Sequence, residues 1–317
     1  MSGSRVVMAA MVAVGAVVLM ATVGRAQQAP ARPAAPPAKG AAPAKKATPA
    51  KKPAPAKPAA PELKVAVLLG SSGRGAKGFN DAVFAGLEAA KKHGRLRVTE
   101  RLPMRPEDYA HAIDEQVAEG ADLIIGVGFL YSDPFAAASV RHPTVRFLLL
   151  DMELPGVSNV KSVTFRADEG SFLAGVAAAA ETKRGVVGFV GGMNMPIIQA
   201  FECGWETGVR WGTKEAFKLV TGSIVYLGTT PEAFTKLAEG EARAHELITR
   251  KNVDVLFAAA GAAGLGVIEA ARRAKVKAIG VDSDQSHLAK DTVITSMRKR
   301  LDRAVETTVA EVRKGAF

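Results

Sequence analysis

The sequence predicts an α/β fold: two doubly wound parallel-sheet lobes with a ligand cleft between them. Three observations lead there. From Leu63 onward short apolar runs alternate with stretches of helical periodicity, the pattern of parallel strands covered on both faces. The chain has 317 residues and a hydrophobic share of 48%, enough for two ordinary cores. The extended stretch Val160–Phe165, with no long helix before it, reads as a connection into a second lobe.

Taken in order, the strand runs are Lys64–Leu69, Leu123–Val127, Thr144–Leu150, Val186–Val190, Ser223–Leu227, Val255–Ala259 and Ala278–Val281. Each is a short apolar run bounded by turn formers, as a strand buried on both faces requires. Between and after them, Phe79–His93, Glu107–Glu119, Glu169–Thr182, Ile197–Ala216, Pro231–Arg250, Gly264–Ala274 and Arg300–Lys314 repeat apolar residues every three or four positions. Pro106-Glu107 and Pro231-Glu232 suit a first helical turn, where the missing N–H costs nothing and an acid meets the helix dipole. The domain plan that follows is 63–165 plus 291–317 for lobe 1 and 166–290 for lobe 2. In open parallel sheets ligands sit beyond the carboxyl ends of the strands, so facing lobes make a cleft there.

What precedes Leu63 is different in kind. Arg5 leads an apolar run from Val6 to Val23, and Gly24-Arg25-Ala26 closes it with small residues at the positions a signal peptidase reads. Residues 1–26 therefore read as a signal peptide cleaved after Ala26, the alternative being an uncleaved anchor. Either places the chain at the periplasm or cell envelope. Residues 27–62 are almost entirely Ala, Pro and Lys, a disordered linker in which repeated proline denies both helix and sheet. Its lysines can meet an anionic envelope surface.

Charge location decides what the basic composition means. Residues 1–62 hold nine lysines and arginines against Glu62 alone, a net of +8 out of +11, which leaves +3 for the folded part. Three tyrosines and two tryptophans offer few stacking platforms, so a nucleic-acid partner is not expected. Cys203 is the only cysteine, which excludes an intrachain disulfide and a thiolate zinc cluster.

The motifs that could carry chemistry fall short. Gly70 to Gly78 follows the first strand, but Lys77 is followed by Gly78 where a phosphate-cradling loop needs Ser or Thr. Gly73, Gly75 and Gly78 meet the dinucleotide spacing, with Glu100 some distance on, yet they begin several residues past the strand end. Gly261 to Gly266 has that glycine order reversed and reads as a cleft-rim loop. His93, His111, His142, His245 and His287 show no metal-ligand spacing, and no nucleophile elbow is present. No enzyme activity, catalytic residue, metal or cofactor is expected.

Five stretches together resemble the basic membrane protein (BMP) family, the substrate-binding proteins of ABC importers that include purine nucleoside receptors. They are Lys77-Gly-Phe-Asn-Asp81; Ile125-Gly-Val-Gly-Phe129; Glu169-Gly-Ser-Phe-Leu-Ala-Gly175; Phe189-Val-Gly-Gly-Met193 with Phe201-Glu-Cys-Gly204; and Gly280-Val-Asp-Ser-Asp-Gln285 leading to Ser296-Met297. The resemblance implies a type I periplasmic-binding-protein fold, a small ligand, a nucleoside first among candidates, and an ABC permease in the inner membrane as partner. A ligand-sensing receptor subunit, or a binder of a sugar or other metabolite, is the alternative. Carried over by motif, Phe79 and Trp205 would stack on a base and Asn80 would hydrogen-bond to it. Asp282 would accept from ribose hydroxyls, Lys299 would reach the ligand, and Gly128, Phe129 and Gly261 would line the cleft. Two departures accompany the match. Gly70 and Ala76 stand where the family has aspartates, and Phe317 stands where the family continues into a glycine-rich tail.

Overall fold

A computed structural model describes residues 61–213 and 223–317. The signal-peptide and most of the linker assignments lie outside the described residues, as do the last residues of the helix expected to reach Ala216.

Among the described residues, ten strands and eight helices follow one another as β1 (Leu63–Leu68), α1 (Phe79–Lys91), β2 (Leu96–Arg101), α2 (Asp108–Ala118), β3 (Leu123–Val127), α3 (Ser132–Arg141), β4 (Arg146–Leu150), β5 (Val160–Val163), α4 (Ala167–Glu181), β6 (Val187–Met193), α5 (Pro196–Gly212), β7 (Ile224–Gly228), α6 (Leu237–Arg250), β8 (Val255–Ala259), α7 (Gly264–Ala274), β9 (Lys277–Asp282), β10 (Val293–Arg298) and α8 (Leu301–Lys314). They build two five-stranded sheets, β2-β1-β3-β4-β5 and β10-β9-β8-β6-β7, parallel throughout. Numbered from its own first strand, each sheet has the same order, so the lobes repeat one topology. The central strands β1, β3, β6 and β8 are almost wholly buried and read as unbroken apolar runs.

Three strands escape a reading based on apolar runs, and all three are sheet edges. β2 (Leu-Arg-Val-Thr-Glu-Arg) alternates and keeps charged residues on its exposed face, β10 is half exposed, and β5 is a true strand rather than a bare connection. Helix α3 is ten residues long and carries Pro134 in its first turn, which hid it as a turn signal. The helix expected from Pro231 begins instead as a 3-10 turn, Pro231–Phe234, and becomes regular at Leu237. The break sets Phe234 against Gly192, where a β-carbon would come within 2.4 Å of its ring.

One domain boundary is corrected. Residues 291–317 do not all belong with lobe 1, because β10 is hydrogen-bonded to β9 in the second sheet with Arg298 opposite Asp282. The chain returns to lobe 1 between Arg298 and Leu301, and α8 packs on α1. The crossing after β5 mirrors it: α4 follows a first-lobe strand and packs on α5 of the second lobe. That helix pair meets through glycines. A β-carbon at Gly204 or Gly208 would lie 2.1 Å or 2.0 Å from carbonyls of α4, so any side chain there would drive the helices apart. Among the described residues no helix is long and apolar enough to cross a membrane.

Candidate ligand cleft

The carboxyl ends of both sheets converge on one cavity of about 710 Å³, open solvent at its mouth included. Gly70 comes from the end of β1, Gly128 from β3, Asp151 from β4, Ala259 and Gly261 from β8, Asp282 from β9 and Lys299 from β10. Phe79 and Asn80 open α1, Phe129 follows β3, and Phe201 is on α5. The strand-end rule read from sequence thus operates twice over, once per lobe.

The charged centre is a trio, Lys299 and Asp282 buried and Asp151 partly so. Lys299 is 4% exposed, and its Nζ lies 2.6 Å from Oδ2 of Asp151 and 4.6 Å from the centre of the Phe201 ring. Phe79 and Phe165 flank the same ammonium at 5.6 Å and 5.9 Å. A cation this buried stands only because a carboxylate and ring faces replace its water. Asp282 is buried too, and among the described residues no group hydrogen-bonds its carboxylate. Burial therefore pushes its carboxyl up to about 6; the Lys299 ammonium pulls the other way and Asp151 adds a smaller upward push. Both aspartates sit at φ +67°, a backbone strain of about 1–3 kcal/mol that persists only where the surroundings over-determine it.

Next to Phe79, Nδ2 of Asn80 donates to the Gly73 carbonyl at 2.6 Å and lies within 3.4 Å of the Ser72 hydroxyl and Gly70 carbonyl. These bonds fix the amide, and its Oδ1 is left buried without a partner. An acceptor so orphaned costs about 1–3 kcal/mol until something donates to it. The glycine loop is no anion cradle: the Gly75 and Lys77 N–H groups donate to the Asp81 carboxylate at 2.9–3.1 Å.

Seven of the eight residues singled out from sequence line this cavity: Phe79, Asn80, Gly128, Phe129, Gly261, Asp282 and Lys299. Trp205 does not. Its side chain is fully buried, with its ring 5.9 Å from that of Phe189, so it packs the second-lobe core and does not line the cavity. The reason is position along the helix: the two residues share the face turned to the sheet, and Phe201 sits at the cavity while Trp205 lies one turn, about 6 Å, further along the axis, under the second-lobe core. Phe201, Phe234 and Asp151 were missed. Asp151 had a legible signal, since it follows a strand end just as Asp282 does, and Phe201 opens one of the family-like stretches; Phe234 had none beyond being aromatic.

Two lobes of one topology with a shared charged and aromatic cavity at their strand ends define a two-lobed solute-binding protein. The chain belongs to the Bmp family, described as ABC transporter substrate-binding protein, PnrA-like, whose model matches residues 63–317. That is a family of binding proteins, not of enzymes. Basic membrane protein A of Borreliella burgdorferi is 32% identical over 72% of this chain and 66% of its own length, so the match spans just under two thirds of that relative. The ABC transporter nucleoside-binding protein BmpA of Lactococcus lactis is 30% identical over 81% of this chain and 76% of its own. Among solved structures, a solute-binding protein of an ABC transporter system from Aeropyrum pernix K1 superposes with a TM-score of 0.74 at 28% identity, over 80% of this chain and 72% of that one.

Proposed function

We propose that this chain captures a nucleoside between its lobes, for delivery to an ABC permease, and leaves it chemically unchanged. The observation that carries the reading is the pairing of aromatic faces with unmet acceptors in one cavity. Phe79 and Phe201 supply ring faces for a base, Asn80 Oδ1 awaits a donor, and the Asp282 carboxylate awaits hydroxyls. Two carboxylates and one ammonium are the charged groups lining the cavity, so it disfavours a phosphate and suits an uncharged ligand. The printed name of the Lactococcus lactis relative supports the same reading. Selectivity for the sugar follows from hydroxyl complementarity, since a ligand without those hydroxyls leaves a buried acceptor unpaired. The apolar run Val6–Val23 and the Ala/Pro/Lys stretch fit a protein exported to the envelope, which fractionation of the native cells would check.

Isothermal titration calorimetry with purine and pyrimidine nucleosides, free bases, 2′,3′-dideoxynucleosides, sugars and nucleoside monophosphates tests the proposal. The expected ranking puts intact ribonucleosides first, with dideoxynucleosides and monophosphates much weaker. Tight binding of a sugar with no nucleoside binding would overturn it.

A further inference from the structure

We propose that Gln285 is a positioning residue that holds the strained Asp282 turn at the cavity and thereby sets affinity for hydroxyl-bearing ligands. For its binding readout the proposal rests on the nucleoside reading above; for its structural readout it does not.

The turn is unusual. Ser283 N–H donates to the Val281 carbonyl at 2.8 Å, closing a three-residue turn centred on Asp282 at φ +67°. Such γ-turns are rare and strained, and a non-glycine residue leaves one unless its neighbours forbid it. Three bonds forbid it here. Oε1 of Gln285 accepts from Val281 N–H at 2.9 Å, and the bond is buried. Gln285 N–H donates to Oγ of Ser296 at 3.1 Å, fastening the loop to β10. Lys299 N–H donates to the Asp282 carbonyl at 3.0 Å, so the carboxylate and the ammonium that faces it share one backbone frame.

Gly280 shows that this arrangement is built rather than incidental. A β-carbon there would come within 2.6 Å of Ser296 Oγ and 2.7 Å of Gln285 Oε1, so the Gln285 amide occupies space that only glycine leaves free. Gln285 is 2% exposed and is not among the cavity-lining residues, and it therefore acts through Asp282. The charged groups that bear on the Asp282 carboxylate are Lys299 from the end of β10 and Asp151 from the end of β4. On the first-lobe side, the Ser283 hydroxyl donates to the Lys77 carbonyl.

The test compares Gln285→Met, which keeps the side-chain length and loses the acceptor, with Gln285→Glu, which keeps an acceptor for Val281 N–H. In the ligand-free full chain, carbon-13 NMR titration of the side-chain carboxyl group follows Asp282. The wild-type midpoint is expected near 6. Gln285→Met should move it at least about one pH unit down, toward the ordinary carboxylate range, as the turn relaxes outward. Gln285→Glu should leave it at or above the wild-type value. Nucleoside affinity should fall about tenfold or more in Gln285→Met, the scale of one lost hydrogen bond to a charged group, and far less in Gln285→Glu. If Gln285→Met does not fold, Ser296→Ala, which frees only the loop end of the fastening, should shift the Asp282 midpoint in the same direction by less. A folded Gln285→Met protein whose Asp282 still titrates near 6, or a folded Ser296→Ala protein with the wild-type midpoint when Gln285→Met does not fold, overturns the proposal. A wild-type chain that binds no nucleoside overturns the functional reading, while the ligand-free titration still decides the role of Gln285.

Discussion

Each lobe ends its fourth strand in an aspartate at φ +67°, Asp151 after β4 and Asp282 closing β9, and the two have opposite fates. Register explains why. Leu150 lies opposite Val163 in the first sheet and Asp282 opposite Arg298 in the second, so Phe165 occupies in lobe 1 the place that Lys299 occupies in lobe 2. One ammonium thus serves two carboxylates. Asp151 takes it at 2.6 Å, and Asp282 is left buried with an elevated pKa. A duplicated topology has been made asymmetric by one side chain per lobe, which leaves a structural carboxylate on one side and an unmet acceptor on the other.

The harshest way to break this comparison is to remove the structural partner. Asp151→Ala strands Lys299 as an unpaired buried cation and should cost about 3–5 kcal/mol in urea unfolding at neutral pH. Rescue by Asp282 moving onto Lys299 would show as a smaller loss together with a drop in the Asp282 pKa.

Asp282→Asn tests the opposite member. A raised carboxyl pKa means the folded state holds its proton more tightly than the unfolded state, so this group's contribution to stability is full below about pH 4 and is lost as pH rises to about 6. The asparagine variant escapes that loss and should be more stable than wild type at pH 7, by on the order of 2–3 kcal/mol, and equal to it at pH 4. Nucleoside affinity should fall, and its pH dependence should flatten. In the wild type, hydroxyl donors favour the ionised carboxylate, so binding should weaken as pH drops through about 6. A calorimetric pH series on both proteins checks each sign.

A smaller effect separates the two buried aromatic residues of α5, Phe201 and Trp205. Trp205→Phe should lower stability by about 1–3 kcal/mol by opening a cavity under the helix, with little change in affinity. Phe201→Leu should weaken nucleoside binding by roughly tenfold at a smaller stability cost. Equal losses of affinity in both would return Trp205 to the ligand.

How far the sequence carried this reading depends on where each element lies. Central strands were legible because burial on both faces demands continuous apolar runs, whereas the edge strands β2, β5 and β10 are interrupted by polar and charged residues and lose that signal. The glycine and motif positions at strand ends found most of the cavity, since Phe79, Asn80, Asp282 and Lys299 converge wherever two parallel lobes face each other. Trp205 shows the limit: a motif position and its periodicity name a helix and a face, but not which turn along that face stands at the cavity.

By itself, then, the sequence determined the parallel α/β class, the family and the neighbourhood of the cleft, because apolar patterning and strand-end residues are local properties of the chain. Only the tertiary structure decided that Asp151 takes Lys299, that Asp282 goes without a partner, and that Phe201 rather than Trp205 reaches the cavity. Each of those depends on which groups 80 to 150 positions apart are brought within a few ångströms, and on the dielectric that burial imposes once they meet.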